Sequence, residues 1–149
     1  MFSDGINVRG DVHIDIYDTE SGKLKQEFDF PNLVVSAGKV FIASRIANTS
    51  LAITHMGIGT GIVTPVTGDV ALSVQLLTRA TATTSYTTGD NFVSISASFP
   101  GSTYANASIT EAGLFTASTG NKLVCRTTFG SFPILSTDTI AINWKISIL

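Results

Sequence analysis

The end of this chain alternates strictly. Ile140, Ile142, Trp144, Ile146 and Ile148 fall on one side, and Thr139, Ala141, Asn143, Lys145 and Ser147 fall on the other. A period of two, filled by β-branched and aromatic side chains, predicts a strand with one buried and one solvated face. Two more sheet-forming runs precede it, Ile109-Thr-Glu-Ala-Gly-Leu-Phe115 and Lys122-Leu-Val-Cys-Arg-Thr-Thr-Phe129. Nucleophiles, bases and metal ligands are nearly missing from all three. That composition points to a protein that holds surfaces together and not to an enzyme.

Composition extends the same reading. A chain of 149 residues is about one domain and is long enough for a core without staples. Only 13% of residues are charged, while Ser and Thr number 36, so the surface is hydroxyl-rich. A net charge of −2 gives little repulsion between copies and favours association. No clustered basic face is present, which argues against free nucleic acid as a partner. The charges are nonetheless uneven: residues 1–30 hold seven of the eleven acids and three of the nine bases, a local balance of −4 that leaves +2 on the remainder. This describes either a solvated acidic hairpin or an arm that docks on a more basic neighbour.

Cys125 stands alone among apolar neighbours and reads as a buried, inert thiol. No apolar run reaches the 18 residues or more of a membrane span, so no membrane partner is expected. Met1-Phe-Ser-Asp-Gly5 lacks the positive start and apolar stretch of a secretion signal, which predicts a protein made in a cytoplasm.

Along the chain, Asp11–Tyr17 alternates Val12, Ile14 and Ile16 against His13, Asp15 and Tyr17, and the turn residues 18–22 lead back through Leu24, Phe28 and Phe30. This predicts a β-hairpin, with Pro31 breaking its ladder. From Asn32 to Asn48 the spacing of Leu33, Ala37, Val40, Phe41, Ser44 and Ile46 predicts one helix, capped by Asn32 or Ser36. Strands are then expected near 52–59, 74–87, 91–99, 105–115, 121–130 and 138–148, with Gly89-Asp90-Asn91 as a tight connection. The expected fold is mainly β: an antiparallel, jelly-roll-like β-sandwich over residues 31–149, with one short α-helix, preceded by an N-terminal hairpin or arm over residues 1–30. Residues 59–71, with three glycines and Pro65, form the connection expected to be mobile or to contact a partner.

The order Asn32-Leu-Val-Val-Ser-Ala-Gly-Lys39, Met56-Gly-Ile-Gly-Thr-Gly61, Ala71-Leu72 with Arg79, Ile109–Phe115, Arg126-Thr-Thr-Phe129 and Asp138–Trp144 resembles a group of small virion structural proteins of tailed bacteriophages. The resemblance covers roughly residues 30–149. It implies a β-sandwich, standalone or a module of a tail or fibre protein, that attaches to a larger particle. It carries no catalytic residues and no cofactor.

Each cluster of chemistry has a structural reading. Gly57-Ile-Gly-Thr-Gly61 is followed by Ile62-Val-Thr-Pro65, which does not start a helix, so a close-packed turn is expected and not a phosphate loop. His13 and His55 share no metal-binding spacing, and no metal is expected. Glu111 lies in an apolar run where a charge needs a partner, so a structural ion pair, with Arg79 or Arg126 as candidates, or backbone hydrogen bonds are expected in preference to a catalytic role. Trp144, Phe28, Phe30, Phe41, Phe92, Phe115 and Phe129 read as core. Phe99 and Phe132, each before a proline at a strand end, together with Asp11 and Asp15, are the candidate partner contacts.

The expectation is therefore a capsid decoration or cement protein, expected as a homotrimer, that binds the major capsid protein or other virion proteins after synthesis in the host bacterial cytoplasm. The alternative is a tail, collar or fibre-attachment component contacting the host receptor. A lectin-like glycan binder ranks third, and an enzyme last.

Overall fold

A computed structural model describes residues 5–48, 51–104 and 107–149. The first four positions of the expected N-terminal unit, and positions 105–106 of the expected strand 105–115, lie outside the described residues. The elements are β1 (Val8–Asp18), β2 (Leu24–Val34), α1 (Ser36–Ile46), β3 (His55–Gly59), β4 (Ala80–Thr81), β5 (Thr83–Ser85), β6 (Phe92–Pro100), α2 (Gly101–Tyr104), β7 (Ser108–Phe115), β8 (Leu123–Pro133) and β9 (Asp138–Ile148). All pairings are antiparallel, in the order β4-β3-β7-β8-β2-β1-β9-β6-β5. The protein is mainly β, a nearly closed barrel or sandwich, as the alternation requires.

The chain passes between the two sheets at two places. β4 pairs with β3 and β5 pairs with β6, with only Ala82 between them, and the Ala82 amide donates to the Thr54 carbonyl at 2.9 Å. On the other side, β2 pairs with β1 over most of its length and with β8 only at Leu33↔Arg126 and Val34↔Cys125. Away from those two pairs, Phe28 stacks on Phe132 (5.1 Å between ring centroids) and Phe30 on Phe129 (5.0 Å). Side chains close the part of this seam that the ladder leaves, each ring pair contributing about 0.5–1.5 kcal/mol beyond its burial.

Inside, Val12, Ile14 and Ile16 meet Ile140, Ile142 and Trp144 and the inward row Ile95, Ala97 and Phe99. The predicted inward row of β9 is buried up to Ile146, but Ile148 is partly exposed where the strand runs off the end of the barrel. The burial also corrects two candidate contacts. Phe99 is fully buried, its ring edge-on to Tyr104 of α2, which folds back over the strand end. Phe132 is buried in the seam. Neither ring is available to a partner.

The hairpin is not an arm. β1 lies between β2 and β9, in register with β9 from Val8↔Ile148 to Asp18↔Asp138. The inward row that made it legible as a strand also fixes it in the core. The break expected at Pro31 is absent too. Pro31 faces Asp11 with its carbonyl turned from β1 to accept the Thr127 hydroxyl at 2.7 Å. A residue in a strand directs its nitrogen and carbonyl to the same edge, so no N–H is missing from the β1 ladder. The helix consequently starts later than expected: Asn32 is still in β2, Val35 occupies the N-cap position, and no side chain caps α1. Val40 and Ile46 of its apolar series are exposed, while Phe41 and Ile42 pack on the core.

A chain lacking residues 1–30 is expected to lose cooperative melting and near-ultraviolet circular dichroism, because β9 would lose one of its two partners and the core its inward row Val12, Ile14 and Ile16. An independent arm would leave both intact. Ile14→Ala is expected to cost about 2–5 kcal/mol in chemical denaturation.

Candidate functional site: a buried ion pair under an apolar loop

The two sheets differ on their outer faces. On β7, Ala112 and Leu114 point into the barrel, so Glu111, Gly113 and Phe115 point out, yet all are buried. Residues 60–79, which connect β3 to β4, lie across them. Leu72 from this loop joins Val35, Phe115 and Leu123 in a second small apolar cluster.

The loop is held by Glu111. Its Oε1 accepts from the amides of Gly61 (3.1 Å) and Val74 (2.6 Å), and its Oε2 from the amide of Ser73 (3.0 Å). Arg126, opposite Gly113 on β8, donates through Nε to Oε2 at 3.0 Å and pairs with it through Nη2 at 2.9 Å. Its Nη1 reaches Asp69 Oδ2 (2.7 Å), and its Nη2 also donates to the Val63 carbonyl (2.7 Å). Glu111 is 0% exposed and Arg126 1%. A charge so buried is tolerable only when paired and hydrogen-bonded, and here the bonds lead to loop backbone 37 to 63 residues away in sequence.

The glycine run serves this carboxylate. A Cβ at Gly59 would lie 2.6 Å from Glu111 Oε1, and one at Gly61 would lie 2.5 Å from Ser73 Cβ and closer still to the carboxylate. Bare backbone is required at both positions. The loop therefore cradles an internal anion in the way a glycine loop cradles a phosphate, with strand geometry in place of a helix N-terminus.

Of the two candidate partners for Glu111, Arg126 is the one in contact. Arg79 instead lies 3.5 Å over the Phe115 ring and donates to Gln75 Oε1, the Ala117 carbonyl and the Gly120 carbonyl. It ties the end of the loop to the β7–β8 turn. Burial lowers its pKa. The expected loop over residues 59–71 is thus longer than the sequence showed and is tied at many points, including Ser36 N to Thr67 O (2.7 Å) and Leu76 N to Ile58 O (2.9 Å).

Pinned in this way, the loop displays aliphatic side chains. Ile62, Val63, Val66, Val70, Val74 and Leu77 are exposed, Ile62 to 82%. Leu77 also has φ +47, a left-handed backbone that a leucine adopts only under constraint. Sequence reasoning marked the loop but missed this display, because isolated valines among Gly, Thr and Pro carry no periodicity.

The outer face of the other sheet is bare and acidic. Asp11 bonds Arg9 at 2.9 Å, and Asp15 and His13 project from β1 beside Glu27 and Asp29 of β2. His13 Nδ1 lies 2.8 Å from Asp29 Oδ1, and Nε2 lies 3.1 Å from Asp15 Oδ1. The hydrogen bond to Asp29 raises the His13 pKa, helped by the charges of Asp15 and Asp29 and opposed by slight desolvation. The other histidine, His55, bonds Thr54 Oγ1 at 2.8 Å. Cys125 is fully buried, and burial pushes its thiol up to about 12, which keeps it protonated.

The fold and this site define an antiparallel β-barrel or sandwich with one face sealed by a pinned apolar loop. No family model, curated protein or solved structure matched the chain.

Arg126→Met is expected to cost about 3–5 kcal/mol, since it leaves the Glu111 charge buried without its partner. Hydrogen exchange should show the Gly61, Ser73 and Val74 amides losing protection first. Because the His13 pKa is raised in the folded state, its stabilisation is full below the ordinary imidazole pKa and is lost as pH rises through the native value. The melting-temperature advantage of the native chain over His13→Gln should therefore shrink from mildly acidic to alkaline pH.

Proposed function

We propose that this chain is a bacteriophage virion structural protein, a capsid decoration or cement protein whose activity is docking. The observation that carries the reading is the apolar loop over residues 60–79, presented on a barrel and fixed from below by Glu111 and Arg126. A surface meant to be covered on a particle benefits from being ordered beforehand, because the entropy of ordering is then not subtracted from binding. Burying one Val, Leu or Ile side chain contributes about 1.5–3 kcal/mol. Association itself costs on the order of 4–15 kcal/mol, so several of the six loop side chains must be covered together. A shell of capsid subunits offers the broad contact this demands, and a trimer of decorating copies at a symmetric site would multiply it.

The low charge and hydroxyl-rich surface suit the same role, as they limit repulsion between copies crowded on one shell. The resemblance of residues 30–149 to tailed-phage virion proteins supplies the kind of particle. A tail, collar or fibre position would use the same loop, with a few copies per particle in place of hundreds.

Ile62→Asp with Val66→Asp should abolish co-sedimentation with particles that lack the protein, while shifting the stability of the isolated chain by no more than about 0.5 kcal/mol, as expected of exposed positions. Retained binding, or a native chain that never sediments with particles, would exclude the reading. Gel band intensities from purified particles separate a head protein from a tail protein.

A further inference from the structure

The antiparallel register of β1 and β2 places four side chains in a square on the bare outer face. His13 stands opposite Asp29, and Asp15 stands opposite Glu27. Nearest ligand atoms of His13, Asp15 and Glu27 all lie within 4.8 Å of one another. Two features of this square call for a cation. Asp15 and Glu27 are like charges directly across a strand pair, an arrangement that weakens a sheet when nothing lies between them. The nearby bases are committed elsewhere, Arg9 to Asp11, Lys25 to Asp138 and Lys145 to the face of the Phe92 ring.

The second feature is the imidazole. Both ring nitrogens face carboxylate oxygens, at 2.8 Å on the Asp29 side and 3.1 Å on the Asp15 side. A neutral ring has one N–H. With that proton donated from Nδ1 to Asp29, the Nε2 lone pair points at an Asp15 oxygen, and a positive species must sit between two acceptors. A proton meets that need, and so does a metal ion. A carboxylate on the far nitrogen is the usual support of a metal-bound histidine, fixing both tautomer and ring orientation.

We propose that His13 Nε2 and the carboxylates of Asp15 and Glu27 form a binding site for a divalent transition-metal ion, zinc by its mixed nitrogen and oxygen ligands, with Asp29 as the positioning residue. Zinc ligand bonds of about 2.0–2.2 Å in tetrahedral array put neighbouring ligand atoms about 3.3 Å apart, close to the His13–Asp15 spacing. Glu27 is exposed and closes on the ion by rotating its own side chain. The imidazole disfavours calcium and magnesium, which take oxygen ligands. Beside Asp15 on β9 stands Ala141, small enough to leave the fourth position open toward a shallow polar groove that also includes Ser96, Ser98 and Asn143. The ion would clip β2 to β1 along the stretch where the β2 ladder has no other neighbour. This inference does not depend on the proposed virion role.

Zinc chloride titrated calorimetrically into the full chain near pH 7.5, in a non-coordinating buffer, should show one ion per chain. His13→Ala should abolish that binding, Glu27→Gln should weaken it, and Asp29→Asn should weaken it by roughly 10–100-fold as a positioning residue. His55→Ala should bind as the native chain does, and calcium should give no heat. On zinc addition, ¹⁵N chemical shifts should report metal at His13 Nε2 with Nδ1 still protonated, a signature that a merely structural histidine would not give. All substituted positions are outward-facing, and far-ultraviolet circular dichroism checks their fold. Absence of zinc binding up to millimolar concentration, or unchanged affinity in both His13→Ala and Glu27→Gln, would overturn the proposal.

Discussion

The Glu111 carboxylate, sealed from solvent on the outer face of β7, sets the terms for much of this molecule. Its two oxygens are filled by three loop amides and one guanidinium, and the guanidinium is shared with Asp69 and a carbonyl of the same loop. Removing any one donor leaves the others around a charge that low-dielectric surroundings do not tolerate. Desolvation offsets most of the Coulombic attraction in such a buried pair, but its hydrogen bonds are made to the backbone of this one loop arrangement. Here the conformation selected is that of a connection with little secondary structure of its own.

The consequence is a barrel with two unlike outsides. Around β3, β7 and β8 the outer face is covered by the loop, with Leu72 and Arg79 packed against Phe115. Around β1, β9 and β6 the outer face is open and polar, carrying His13, Asp15, Asn143 and a row of serines. The covered side ends in exposed aliphatic groups, whereas the open side ends in charge. A docking role draws on the first and a cation site on the second, so the two proposals concern separate surfaces and separate chemistry.

The sheet order explains why the hairpin belongs to the body of the protein. With β1 between β2 and β9, the N-terminal segment joins the two ends of the chain and completes one wall of the barrel. Four of the acids of residues 1–30, Asp11, Asp15, Glu27 and Asp29, therefore belong to that wall's outer surface. Closure on the other side is by the short β4 and β5, joined through Ala82, which cover the outer edges of β3 and β6 in part.

Periodicity alone determined the strands whose two faces differ: β1, β6 and β9 are legible from Val12 to Ile16, Ile95 to Phe99 and Ile140 to Ile146, because alternate side chains meet oil and water. The need of Glu111 for a cation was legible for the same kind of reason, since burial penalises charge wherever it occurs. What sequence could not decide was which partner arrives. Arg79 and Arg126 are equivalent as residue types, and only the register that sets Arg126 opposite Gly113 separates them. The same holds for His13 beside Glu27 and Asp29, for Phe99 under Tyr104, and for Pro31 inside a strand. Local pattern reports which way a side chain faces, whereas strand pairing over long sequence separations decides what it meets, and that belongs to the tertiary structure.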